Sequence, residues 1–157
     1  MKKPKILGFY GKSNIGKTNL IIKLINHLST NGLNISTVKI TDKNIELDTK
    51  GKDTWKHAEA GSNLVVLSSA NETDYLVKKK QTINNIIKNI INIGHFDIIL
   101  VEGANDKETP KIRLGNIKKR NNTVFTYDGD FEKLLEFVKN QKNMGYFNER
   151  NKSKSKR

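Results

Sequence analysis

The chain of 157 residues contains no cysteine. That absence excludes disulfides, thiolate-ligated zinc, cysteine-ligated iron–sulfur clusters and cysteine nucleophiles. No run of about 18 apolar residues occurs, which argues against a membrane-spanning helix. Arginine is scarce: of 29 basic residues only Arg113, Arg120, Arg150 and Arg157 are Arg. Base readout and bidentate phosphate clamping favour Arg, so the composition speaks against a nucleic-acid partner. Met1 to Lys5 is basic, but a glycine-rich polar stretch follows instead of an apolar one. No signal peptide is expected, and a soluble cytoplasmic protein is.

What the chain has in excess is positive charge, a formal net of +13. A polyanion partner or a solvated lysine coat accounts for it equally well. Residues 143–157 hold five basic residues against one acid, and Asn151 to Arg157 has no apolar residue. This stretch is expected to be a basic, disordered tail after a single domain over 1–142.

Hydrophobic patterning supplies the elements. Lys5 to Tyr10 reads as a short buried strand before Gly11. Leu20, Ile21, Leu24, Ile25 and Leu28 mark one helix face, ended at Asn31-Gly32. Ile35 to Ile40 reads as a strand, Asp42 to Gly51 as a loop, Asp53 to Ala60 as a short helix and Leu64 to Leu67 as a strand. Ile83, Ile86, Ile87, Ile90 and Ile91 have helical spacing, which outweighs the strand preference of isoleucine. Phe96 to Val101, ending at Glu102-Gly103, is the strongest buried strand. Lys111 to Leu114 and Thr123 to Tyr127 are shorter strands, and Phe131, Leu134, Leu135 and Val138 face a last helix. This alternation predicts an α/β fold with a mostly parallel sheet flanked by helices, which binds ligands beyond the carboxyl ends of its strands.

Gly11-Lys12-Ser13-Asn14-Ile15-Gly16-Lys17-Thr18 fits the phosphate-loop pattern of the P-loop NTPases. Glycines let the backbone wrap a phosphate, with the amides from Gly11 through Ser13, Asn14 and Ile15 to Gly16 pointing inward. A helix N-terminus at the loop end adds its dipole. Lys17 would reach the β- and γ-phosphates, and the Thr18 hydroxyl would bind Mg²⁺. The strand before and the helix after are the context the pattern requires. Glu102, at a strand end, is placed to hold Mg²⁺ or orient a nucleophile, or else is a solvated carboxylate. Asp53 reads as a catalytic acid, in the metal shell or positioning water, or as a helix N-cap. The three histidines lack ligand spacing, and Tyr10 and Trp55 read as packing residues. Tyr127-Asp128 reads as a guanine contact or as a simple turn.

Together these residues resemble the molybdopterin-guanine dinucleotide biosynthesis adapter protein B family. The resemblance runs from about Lys5 to Gly115, through Gly11–Thr18, Val38-Lys39, Asp48, Gly51-Lys52-Asp53-Thr54-Trp55, Ala58-Glu59-Ala60-Gly61, Leu100-Val101-Glu102-Gly103 and Pro110-Lys111-Ile112. It implies a GTP-binding P-loop protein with weak Mg²⁺-dependent hydrolysis. It also implies a homodimer that serves a guanylyltransferase of molybdenum cofactor assembly. By the same resemblance, Asp48, Asp53 and Glu102 surround the metal and γ-phosphate. The chain departs from the family pattern at Ile40 to Lys43, where histidines are usual, and at Ala104-Asn105 in place of Phe-Lys. The alternatives are another GTP-dependent metal-cofactor maturation factor and a P-loop small-molecule kinase. A kinase of this fold usually carries an Arg-rich lid, and Arg113 and Arg120 show no such cluster.

Overall fold

The structure is a computed structural model that describes residues 3–140. The tail expected at 143–157 lies outside the described residues. Those described divide into two compact units, one formed by Asp42–Asn85 and the other by the remainder.

The larger unit is a five-stranded parallel sheet built from β1 (Lys5–Tyr10), β2 (Ile35–Lys39), β5 (Ile98–Glu102), β6 (Lys111–Leu114) and β7 (Thr123–Tyr127), in the order β2-β5-β1-β6-β7. β1 pairs in register with β5 from Lys5↔Ile98 to Phe9↔Glu102. Both strands are buried on both faces, which is why they read in sequence as continuous apolar runs. One face packs Leu7, Phe9, Leu100 and Ile112 against Leu20, Leu24 and Leu28 of α1 (Lys17–Thr30) and Leu134, Leu135 and Val138 of α4 (Phe131–Lys139). Asp130 caps α4, its carboxylate accepting from the amides of Glu132 and Lys133. α3 (Ile83–Ile93) buries Ile87, at the centre of its isoleucine stripe.

Strand order places the crevice. The connection from β1 runs to β2, beyond β5, whereas the connection from β5 runs back past β1 to β6. Such a reversal opens a crevice at the carboxyl ends of the strands involved. Tyr10 and Glu102 end those strands, as the sequence pattern indicates for both.

The smaller unit holds α2 (Asp53–Glu59) and an antiparallel hairpin of β3 (Leu64–Ser68) and β4 (Thr73–Val77). Here the fold departs from the sequence pattern at three points. β3 does not extend the parallel sheet, and β4 is a strand that the hydrophobic pattern did not reveal. Asp53 is not the N-cap of α2: Lys52 holds that position and Asp53 opens the first turn.

Candidate functional site

The loop between β1 and α1 follows from its residue types. A Cβ on Gly11 would come within 2.8 Å of the Leu114 carbonyl oxygen, so the strand exit tolerates only glycine. Gly16 has φ +94° and Asn14 φ +60°, left-handed conformations that turn the backbone around the loop. Gly16 is also the N-cap of α1, where no side chain caps the helix and no acid occupies the first turn. The first amides of α1 are thus left for an anion. The Lys17 ammonium donates to the carbonyls of Gly11 (3.0 Å) and Lys12 (2.6 Å), which holds it across the loop.

Glu102 meets this loop. The Thr18 hydroxyl donates to Glu102 Oε1 at 2.9 Å, across 84 residues of sequence. Lys39 Nζ lies 3.8 Å from the same oxygen. The backbone around Glu102 is pinned on both sides: Ile40 N donates to the Glu102 carbonyl and Gly103 N to the Phe9 carbonyl, each at 2.8 Å. A hydroxyl and a carboxylate converging beside a phosphate loop are hard oxygen donors, the set that Mg²⁺ prefers. The residues present fit that ion. Bound there, it would neutralise phosphate charge.

Asp48 and Asp53 stand in the smaller unit. Asp48 Oδ1 accepts from Thr49 N and from the Thr54 hydroxyl, both at 2.9 Å. Asp53 is exposed, with Lys56 Nζ 3.5 Å away. Their metal and γ-phosphate roles rest on the family resemblance alone. Asp128 accepts from Asp130 N and pairs with Lys133 at 3.2 Å, so the turn at the end of β7 is locally satisfied.

A second group of polar residues escaped the sequence reading. On the sheet face opposite α1 and α4, Lys111 is fully buried and donates to the carbonyls of Thr109 (2.7 Å) and Asn121 (3.1 Å). Arg120 lies over the Tyr10 ring, 4.8 Å from its centroid, and donates to the Ala104 carbonyl at 2.8 Å. The Tyr10 hydroxyl bonds Thr123 Oγ1 (2.6 Å) and accepts from Arg120 N (3.0 Å). Tyr10 is therefore a packing residue, as expected, but one that also ties β1 to the loop before β7. These bonds hold the segment that follows Glu102. The available signal was the alternation in Lys111-Ile112-Arg113-Leu114, which sends two cations to one face of a central strand.

Asp106 turns that segment by accepting from Thr109 N (2.6 Å) and Glu108 N (2.9 Å). Burial alone would push its carboxyl up. The hydrogen bonds from Thr109 and Glu108 and the nearby Lys111 charge outweigh this and hold it below its usual value. Burial also draws the Lys111 ammonium below its usual range, against the pull of Asp106. A carboxyl depressed in the fold contributes stability that is fully present above its unfolded value of about 3.9. That contribution fades as pH falls through the lower folded value. Asp106→Asn is expected to lower stability at pH 7, with the gap from the parent chain closing below about pH 4. Urea unfolding from pH 7 to pH 2 checks this.

A parallel sheet with a glycine loop between its first strand and first helix, and a strand-end acid beside that loop, is the P-loop NTPase architecture. The matching family model, "Molybdopterin guanine dinucleotide synthesis protein B", covers residues 6–140, and the chain belongs to that MobB family. A molybdopterin-guanine dinucleotide biosynthesis adapter protein of Haemophilus influenzae is 32% identical over 110 residues, 69% of this chain and 62% of the relative. The Escherichia coli protein of the same description is 28% identical over 112 residues, 69% of this chain and 64% of the relative. The chain thus spans just under two thirds of the length of these relatives. The crystal structure of Bacillus subtilis MobB superposes with a TM-score of 0.67 at 18% identity, covering 87% of this chain and 97% of that one. That likeness shows a shared fold. Among the described residues, no helix is long and apolar enough to cross a membrane.

Proposed function

We propose that the chain binds GTP with Mg²⁺ at Gly11–Thr18 and acts as an accessory protein beside a guanylyltransferase in molybdopterin guanine dinucleotide synthesis. The observation that carries this reading is the 2.9 Å pair of Thr18 and Glu102 at the mouth of the Lys17 loop. Lys17 and the first amides of α1 take the phosphates, and Thr18 and Glu102 hold the metal. Hydrolysis is weak. Arg113 donates to the Ile117 carbonyl and Arg120 to the Ala104 carbonyl, so neither is free to stabilise charge developing on the γ-phosphate. The same occupancy counts against the kinase reading. Calorimetric titration of GTP with and without Mg²⁺ tests the assignment. Mg²⁺ is expected to tighten GTP about tenfold or more in the parent chain and to lose that effect in Glu102→Gln. Equal enhancement in both would remove Glu102 from the site.

The homodimer has a surface to support it. On the outer face of the hairpin, Leu64 pairs with Val77 and Val66 with Tyr75, and all four side chains are exposed. Two apolar cross-strand pairs laid bare on one face suit a self-complementary contact with a second copy. Val66→Lys with Tyr75→Lys is expected to turn a dimer into a monomer in sedimentation equilibrium while the circular dichroism spectrum is unchanged. A dimer that persists rejects this interface.

A further inference from the structure

β2 ends on a lysine beside the phosphate loop. Lys39 is directly opposite Glu102 in the parallel register of β2 and β5. Side chains alternate between the two faces of a sheet, and residues paired across parallel strands share a face. Ile35 on β2, with Ile98 and Leu100 on β5, packs into the core that α1 covers. By that alternation Lys39 and Glu102 project on the α1 side of the sheet. The bond from the Thr18 hydroxyl to Glu102 Oε1 shows that the start of α1 meets them there.

The place of Lys39 is fixed, but its ammonium is not. Ile40 N donates to the Glu102 carbonyl at 2.8 Å, which pins the backbone just beyond Lys39. The Lys39 side chain is 63% exposed, against 16% for Glu102. Nζ stands 3.8 Å from Glu102 Oε1, within ion-pair range but beyond hydrogen-bond reach. An exposed pair of this kind is weak, so the ammonium leaves it at small cost.

A divalent ion held by Thr18 and Glu102 would use the oxygen that Lys39 faces and would repel the ammonium. The displaced charge then needs another anion within the sweep of its four-carbon stem. Mg²⁺ in P-loop sites bridges the β- and γ-phosphates, so a γ-phosphate stands beside the carboxylate that Lys39 leaves. A diphosphate puts no anion there.

We propose that Lys39 is a specificity-determining residue of this site. It pairs with Glu102 until a metal–nucleotide complex binds, then moves to the γ-phosphate, so that triphosphates are held in preference to diphosphates. The inference rests on Mg²⁺-GTP binding at Gly11–Thr18 and adds to it the residue that counts phosphates. It is compatible with weak hydrolysis. Lysine is a compact charge on a flexible stem, without the planar fork of arginine. It follows the γ-phosphate equally well before and during bond cleavage, which adds affinity without adding rate.

Isothermal calorimetry on the full chain with GTP, GDP, tripolyphosphate and pyrophosphate, all in Mg²⁺, tests it. The parent chain is expected to bind GTP about tenfold or more tighter than GDP, and tripolyphosphate tighter than pyrophosphate. Lys39→Ala is expected to weaken GTP and tripolyphosphate about tenfold and to change GDP and pyrophosphate less than about threefold. Lys39→Arg keeps the charge and is expected to restore most of the preference. Circular dichroism checks that both variants fold. Equal loss for GTP and GDP would make Lys39 a structural residue, and an unchanged preference would make it a simple counter-ion of Glu102; either overturns the proposal, as does a parent chain that binds GTP and GDP alike. The inorganic pair carries no base, so the two readings fail separately. Tripolyphosphate binding without GTP binding rejects the guanine nucleotide and leaves Lys39 judged on tripolyphosphate against pyrophosphate. No binding of any of the four overturns both.

Discussion

Lys17→Ala is expected to weaken Mg²⁺-GTP binding by at least about a hundredfold, because truncating one partner of a close charge pair costs several kcal/mol. The ammonium already sits where the loop bends, held by the carbonyls of Gly11 and Lys12, so it meets a phosphate with little further ordering. The fold loses almost nothing: Lys17 contributes two carbonyl bonds at the rim and no core contact. Lys12→Ala is the matched control. It removes a charge from the same loop but keeps the backbone, and it is expected to change affinity less than about threefold, consistent with a solvated surface charge. Calorimetry on the two variants separates a lysine that grips phosphate from one that adds to the +13 background.

The second large effect lies one residue beyond Glu102. Gly103 has φ +85°, and a Cβ there would collide with the Ile40 carbonyl oxygen. Gly103→Ala is expected to cost about 2–4 kcal/mol, the sum of left-handed strain and a backbone clash between β2 and β5. Gly32 separates the two contributions. Its φ is +80°, but nothing lies within 4 Å of a Cβ placed there. Gly32→Ala is therefore expected to cost about 1 kcal/mol, from strain alone. Urea denaturation of both variants measures the difference. Relief of the clash in Gly103→Ala must move β2 or Glu102, so the fraction that folds is expected to bind GTP without enhancement by Mg²⁺.

The parts of this molecule that were legible in sequence are those whose physics is local. β1 and β5 are buried on both faces and appear as apolar runs; α1 and α4 show their helical period; the loop carries its glycines and Lys17 in order. Glu102 was legible because a buried run ends on it. β4 was not, because Tyr75-Leu76-Val77 puts apolar residues on both faces and Thr73-Asp74 opens the strand with polar ones, so no alternation of period two shows. That β3 leaves the main sheet was hidden as well, since pairing depends on a partner strand elsewhere in the chain. The buried Lys111 reads as a surface residue until the carbonyls of Thr109 and Asn121, both on irregular segments, are brought to it. Asp48, which the family resemblance places beside the metal, lines a cleft of the smaller unit.

We propose that Gly11–Thr18 with Glu102 forms a guanine-nucleotide site. Calorimetry of the full chain with GTP, GDP and ATP in Mg²⁺ tests it most directly. Saturable binding of GTP and GDP, ATP weaker by about tenfold or more, and loss of the GTP signal in Lys17→Ala are the results predicted. Equal affinity for ATP and GTP, or GTP binding that survives Lys17→Ala, would contradict it.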